Sequence, residues 1–325
     1  MTTRARIARG DDPAAIAEAV ALLRAGQLVA FPTETVYGLG ADALSAEAVE
    51  RIYVAKGRPA TNPIIVHVED ARAARDLVEG WDARAEQLAL RFWPGPLTLV
   101  LRRRPMVPAI VAAGGETLAV RAPAHPVARA LLHAFEGPLA APSANRSSAI
   151  SATRAQDVLD ELGEVIPLIL DGGPCEVGLE STVLDLSRAR PTLLRPGVIT
   201  PSALEAALGE AIAERSTDEQ GPLRSPGLLE RHYAPSKPLI IATAAEIERA
   251  APERVAILAW SPLRVAEPTP LRALPADPAA YARALYAALR WADRQAVEAI
   301  WVERPPAGEP WRAVHDRLAR ASVRP

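Results

Sequence analysis

Residues 45–68 read SAEAVERIYVAKGRPATNPIIVHV, and this stretch decides the fold class. Ser45 stands where a helix N-cap belongs, Glu47 follows in the first turn, and Gly57 marks the stop. PIIVHV then reads as a strand. A capped helix feeding a strand through a short turn is an α/β signature. The turn carries two cations, Lys56 and Arg58, and the residue at its far side is Asn62.

The pattern repeats in both directions. Residues 13–25 place Ile16, Val20 and Leu23 at helical spacing before Gly26, and QLVAFPT reads as a strand ending at Pro32. Further on, ARAARDLVEG and DARAEQLALRFW read as helices, the second ending at Pro94, and LTLVLRR and TLAVRAP as strands. HPVARALLHAF is a helix, PLAAPSA a strand and turn, and TRAQDVLDELG a helix. IPLILDGG and STVLDLS are strands, followed by PTLLRPG. The alternation predicts an α/β domain whose strands need not all be parallel. A polar, Pro- and Gly-rich stretch, AERSTDEQGPLRSPGLLERHYAPSKP, then breaks the period and reads as a linker. A second α/β pattern follows: LIIATA, RVAILAW, the helix PAAYARALYAALRWADRQ, the strand AIWVER and a helix around WRAVHDRLARA. The expected division is 1–212, a linker over 213–238, and 239–325.

Composition narrows the function classes. A chain of 325 residues with 49% hydrophobic content buries a substantial core, and a net charge of −2 excludes a surface that is wholly a nucleic-acid footprint. The single cysteine, Cys175, forms no internal disulfide, which fits a reducing, cytoplasmic setting. The N-terminus lacks the apolar core of a signal peptide, and no run reaches membrane-spanning length. Of 37 basic residues only Lys56 and Lys237 are lysine, and Asn62 and Asn145 are the only asparagines. A chain this biased toward arginine keeps a lysine at 56 where a compact point charge suits better than a planar fork.

No phosphate loop of the GxxxxGK[ST] type, no HExxH, no cysteine pair and no GxSxG occurs. What remains is polar residues at strand ends and in turns, where α/β domains build sites. They are Thr33, Glu34 and Thr35 after the first strand; Lys56, Arg58, Asn62 and His67 around the second; and Thr117 and Arg121 flanking LAV. Ser143, Asn145, Ser147, Ser148 and Ser151 follow PLAAP, Ser181 and Thr182 open a strand, and Arg195 ends the last. Each has an ordinary structural reading as well. Ser151 stands where it would simply cap the helix behind it, and His67 could be a core histidine. As a set, four cations beside strand ends with hydroxyls and amides suit a polyanion together with a small polar substrate.

FPTETVYGLGADA, KGRPATNPIIVHV, FWPGPLTLVL, APSANRSSAISAT, GLESTVLDL and LLRPG, in this order, resemble the YrdC/Sua5 family, and SPGLLERHYAP resembles the linker of its two-domain Sua5 form. Ala60, where the family often has Ser, and the residues after Gly227 depart from the pattern without touching a candidate site residue. The resemblance implies a YrdC-like domain, with a twisted mixed sheet flanked by helices, and a small Rossmann-like C-terminal domain. It implies synthesis of threonylcarbamoyl-AMP from L-threonine, bicarbonate and ATP with release of diphosphate. A separate transferase complex then modifies adenosine 37 of tRNA; direct tRNA binding is compatible with this but not required, and no membrane is involved. Lys56 and Arg58 are expected to act on the triphosphate, with Asn62, Thr117, Ser143, Asn145, Ser151, Arg195 and Tyr233 also on ATP. Thr35, His67, Arg121, Ala141 and Ser181 are expected around threonine. Mg²⁺ is expected to be held mainly by ATP phosphates, with no dedicated protein ligands. The resemblance further implies that the linker folds back over the site, with Tyr233 meeting the nucleotide. Two other readings stand beside this one: a carbamoyl-adenylate former, and a non-catalytic RNA-binding module.

Overall fold

The computed structural model describes residues 4–214, 233–250 and 253–322. Two sheets organise them. The larger has twelve strands among the described residues and is mixed. Its centre pairs Gly38–Asp42 antiparallel to Leu139–Ala140, which is antiparallel to Ile65–His67, which is parallel to Thr117–Arg121. Thr117–Arg121 is antiparallel to Leu97–Arg103, and Leu97–Arg103 runs parallel to Thr182–Asp185. Thr182–Asp185 in turn pairs antiparallel with Thr192–Arg195. The smaller sheet orders Leu239–Ala242, Ala299–Glu303, Val255–Ala259 and Leu271–Ala273, all parallel, as in a Rossmann-like unit.

The helix over 46–56 forms as expected. Ser45 accepts from the Ala48 amide, and Gly57 ends the helix at φ 59°, in the left-handed region that glycine tolerates. The expected helix over 71–80 is shorter. It covers Ala71–Arg75, and Val78–Glu79 pairs antiparallel with Leu97–Arg103. Val78 is buried while Glu79 is exposed, so sheet pairing overrides the local helical composition. Strands at Arg6–Arg9, Gly38–Asp42 and Leu271–Ala273 and helices at Pro201–Leu208 and Ala244–Ala250 were not expected. The larger sheet continues to Ala213–Glu214, just past the expected boundary at 212.

The sheets share a core. Val36, Ile150, Leu179 and Tyr233 cluster with Leu285, Tyr286, Leu289 and Leu318 of the smaller sheet's helices. This shared cluster is what presses the second layer against the loops that carry the site.

Candidate active site

Strand register places the chemistry. His67 pairs with Arg121 across parallel strands, so both side chains sit at one end of the sheet. Ala141 donates its amide to the Ile65 carbonyl at 2.9 Å, and Ser143 bridges Gly38, which carries the 141–143 turn to the same place. There a cavity is lined by Thr33, Thr35, Val36, Tyr37, Gly38, Arg58, Ile65, His67, Arg121, Ala141, Pro142, Ser143, Glu180, Ser181, Arg195 and Tyr233. Nine residues expected from the sequence therefore meet in one cavity: Thr35, Arg58, His67, Arg121, Ala141, Ser143, Ser181, Arg195 and Tyr233.

Five expected residues do not line it. Lys56 is buried beneath the 143–145 turn, and its Nζ donates to the Ser143 carbonyl at 2.5 Å and to the Asn145 carbonyl. Burial, reinforced by the charge of Arg58, lowers the Lys56 pKa well below its ordinary value. Asn62 and Asn145 stand behind the wall. Thr117 lies at the other end of the Arg121 strand, about 13 Å away at the usual rise per residue. Ser151 is not the cap of the helix Ala155–Leu162. Asp157 takes the local amides there, accepting from Thr153 and Arg154 at 3.2 Å each. Ser151 Oγ instead donates to Glu180 at 2.5 Å.

Arg58 is held by the chain it precedes, Nε donating to the Asn62 carbonyl at 3.0 Å and Nη2 to that of Pro63 at 2.7 Å. Burial lowers its pKa to about 10, so it stays a cation at neutral pH. Arg195 donates Nε to the Ser181 carbonyl and Nη2 to Ser181 Oγ, both at 3.1 Å, and Ser181 Oγ meets Thr98 Oγ1 at 2.7 Å. His67 is buried, with an edge contact to Phe31 at 6.1 Å between ring centroids. Burial first, and the Arg121 charge second, push its pKa down to about 3, so the imidazole is neutral.

Buried polar atoms normally find partners. Here both amide atoms of Asn62, His67 Nδ1 and Asn145 Oδ1 have none. Of these, His67 lines the cavity, where a polar ligand would complete its hydrogen bonding. The cavity itself is small, about 40 Å³. That holds a few water molecules, whereas sites for nucleotide-sized ligands run to roughly 300–1,000 Å³. A nucleotide must displace part of the wall, and Tyr233 is the wall residue whose backbone departs from the ordinary regions, its φ being 61°. Arg231 and His232 of the linker lie outside the described residues. Lys237 faces away, its Nζ donating to the Asp293 carbonyl.

The family model Sua5/YciO/YrdC, described as "Telomere recombination", matches residues 21–197. The chain belongs to the Sua5/YciO/YrdC family. A second model, "Threonylcarbamoyl-AMP synthase, C-terminal domain", matches residues 199–323. The threonylcarbamoyl-AMP synthase of Pyrococcus abyssi is 41% identical over 319 residues, covering 94% of this chain and 93% of that protein. The Bacillus subtilis protein of the same name is 48% identical over 229 residues, covering 70% of this chain and 66% of the relative. Among solved structures, P. abyssi Sua5 complexed with L-threonine superposes with a TM-score of 0.89 at 40% identity, covering 94% of each chain. Membership accounts for the mixed sheet and the second, Rossmann-like layer together.

Sequence reasoning missed Glu180 and Tyr37 as wall residues. Glu180 stands directly before the expected Ser181, but its partners come from distant helices. Tyr37 is fully buried, and its hydroxyl donates to the Gly173 carbonyl at 2.8 Å, holding the 172–178 loop. No local signal marks either.

Proposed function

We propose that this protein is an L-threonylcarbamoyladenylate synthase, an ATP-using nucleotidyltransferase of the cytoplasm. It joins L-threonine, bicarbonate and ATP into threonylcarbamoyl-AMP and releases diphosphate. The observation that carries this reading is the convergence of Arg58, Arg195, Arg121 and neutral His67 on one cavity. Two functions are separated within it. Arg58 and Arg195 offer cationic donors to phosphate oxygens, and Arg121 with Thr35 and His67 offers a carboxylate and hydroxyl site.

Threonine's amine and bicarbonate form a carbamate with loss of water. A carbamate oxygen attacks the α-phosphorus, and diphosphate leaves. Positioning and charge stabilisation supply most of the catalysis in such a step. Lys56 and Arg58 act on the triphosphate: Arg58 directly, and Lys56 by holding the Ser143 and Asn145 carbonyls of the turn that borders the cavity. Asn62, Thr117, Ser143, Asn145, Ser151, Arg195 and Tyr233 serve the nucleotide, and Thr35, His67, Arg121, Ala141 and Ser181 the amino acid. Mg²⁺ arrives with ATP as part of the substrate. Glu180, the carboxylate that lines the cavity, is paired with Arg317, and nearby Glu34 with Arg121, which suits a metal held by phosphates and water. The product passes to a transferase that acts on tRNA. The catalytic unit spans 1–212, 213–238 is the linker, and 239–325 is the C-terminal domain.

Closing Tyr233 over the site would exclude water from a labile mixed anhydride. A cavity of about 40 Å³ also suits small substrates better than an RNA-binding face, which would be an open basic groove with stacking aromatics. Diphosphate release is the test. It should require threonine and bicarbonate together; release with either one omitted would contradict the proposal.

A further inference from the structure

The cavity wall at Glu180 is built from both sheets. Its carboxylate accepts from Ser151 Oγ at 2.5 Å, from the Tyr286 hydroxyl at 2.9 Å and from Arg317 Nε at 2.7 Å. Tyr286 and Arg317 belong to the helices Pro278–Asp293 and Arg312–Ala321 of the smaller sheet's layer. The Arg317 side chain is 1% exposed. Its guanidinium lies 5.1 Å over the Tyr233 ring, and Tyr233 stacks on Tyr286 at 5.9 Å. Neither Arg317 nor Tyr286 lines the cavity, whereas Glu180 and Tyr233 both do.

The fit between the layers is tight at the same place. Gly178, two residues before Glu180, has φ +77°, and a Cβ there would stand 2.6 Å from Arg283 Cα and 2.8 Å from the Arg283 carbonyl oxygen. Arg283 Nε also donates to the Glu176 carbonyl at 2.5 Å. Backbone therefore meets backbone beside the ion pair. A buried charge with several fixed partners adopts one geometry and loses it when a partner leaves.

We infer that Arg317 is a positioning residue of the nucleotide site: through Glu180 and Tyr233 it makes the docked C-terminal layer a required part of the wall that receives ATP. This rests on the proposed adenylate-forming activity. It assigns the second domain a task inside the first domain's site without placing any of its residues on substrate.

The charge balance yields a readout that simple loss of structure would not produce. The titratable and charged groups facing Glu180 are Arg317 with its neighbour Asp316, Tyr286, Tyr233, and Arg195 from the larger sheet. Together with the Ser151 hydrogen bond, the two arginines hold the Glu180 carboxyl at about 2 against its own burial. Its charge is then constant at working pH. With Arg317 gone, burial is opposed mainly by Arg195, and the carboxyl would titrate higher.

The test is ATP binding by calorimetry with full-length protein, over roughly pH 5.5 to 8, in wild type, Arg317→Met, Arg317→Lys and Tyr286→Phe. Kinetics of diphosphate release accompany it. Arg317→Met should weaken ATP binding about tenfold or more and make it pH-dependent, with KM for threonine held within about twofold. Arg317→Lys should restore much of the affinity. Tyr286→Phe keeps the fold and the ion pair, and should weaken ATP binding about threefold. It decides the matter should Arg317→Met not fold. ATP affinity within about twofold of wild type and flat with pH in both Arg317→Lys and Tyr286→Phe would overturn the inference, as would equal losses for ATP and threonine. Calorimetry needs no turnover, so a wild type that binds ATP but makes no threonylcarbamoyl-AMP would refute the activity separately.

Discussion

Arg121 Nη2 and Glu34 Oε1 lie 2.6 Å apart, in a pair whose side chains are 4% and 6% exposed. The same guanidinium donates Nη1 to Thr35 Oγ1 at 2.7 Å and Nε to the Gly95 carbonyl at 3.1 Å. Glu34 Oε2 accepts from the Ala124 amide at 3.0 Å. The Nη2–Oε1 contact closes a buried ion pair at the cavity wall. A threonine carboxylate would join an existing pair rather than meet a lone cation. Arg121→Ala should therefore weaken threonine binding by about 2–5 kcal/mol and ATP binding far less. Calorimetry with each ligand checks this, and equal losses would place Arg121 in the wrong half of the site.

Lys56 is enclosed by two backbone carbonyls, and a planar guanidinium does not replace a compact ammonium there. Both Lys56→Ala and Lys56→Arg should lower kcat/KM for diphosphate release by about a hundredfold or more, with the fold retained by circular dichroism. Near-normal turnover in Lys56→Arg would contradict the requirement for a point charge.

His67 gives a pH signature in stability. Its folded pKa, about 3, lies below the ordinary value of 6.5, so the unfolded chain binds the extra proton first as pH falls. Stability is complete above about 6.5 and declines toward 3, by on the order of 2 kcal/mol at about pH 5. His125 is lowered by burial too and acts in the same direction, so the comparison must change His67 alone. Melting temperature followed from about pH 7 to 5 should fall less steeply in His67→Gln than in wild type. Parallel curves would show that His67 is not buried neutral.

The fold class was legible in the sequence because its signals are local. Ser45 and Gly57 bracket a helix, and PIIVHV has the composition of a strand. Gly38–Asp42, read GLGAD, carries no strand composition; it pairs because Gly40 lets Phe31 approach, its Cβ position lying 2.8 Å from Phe31 Cε1. The helix Pro201–Leu208 carries its own local signals, the Thr200 cap and the Gly209 stop. In the site, residues at strand ends were legible because the sheet fixes where those ends point. Glu180 and Arg317 were not, since their pairing spans the two layers and only the tertiary fold brings them together. Ser151 looked like a cap because its neighbours resemble a helix start, but Asp157 performs that task.

Gly178 tests the docking itself. Gly178→Ala combines a positive φ with a Cβ too near the Arg283 backbone to be accommodated by a side-chain shift. It should destabilise the protein by about 1–3 kcal/mol, read as a lower denaturant midpoint. No change would mean that the layers are not in backbone contact at this point.

Isotope incorporation follows the chemistry itself. Purified protein is incubated with ATP, L-threonine and ¹³C-bicarbonate, and the nucleotide products are resolved by mass spectrometry. Threonylcarbamoyl-AMP should carry the labelled carbon, form in step with diphosphate and be absent when threonine is left out. A wild-type protein that binds ATP and threonine yet yields only unlabelled AMP, or no new adenylate, would contradict it.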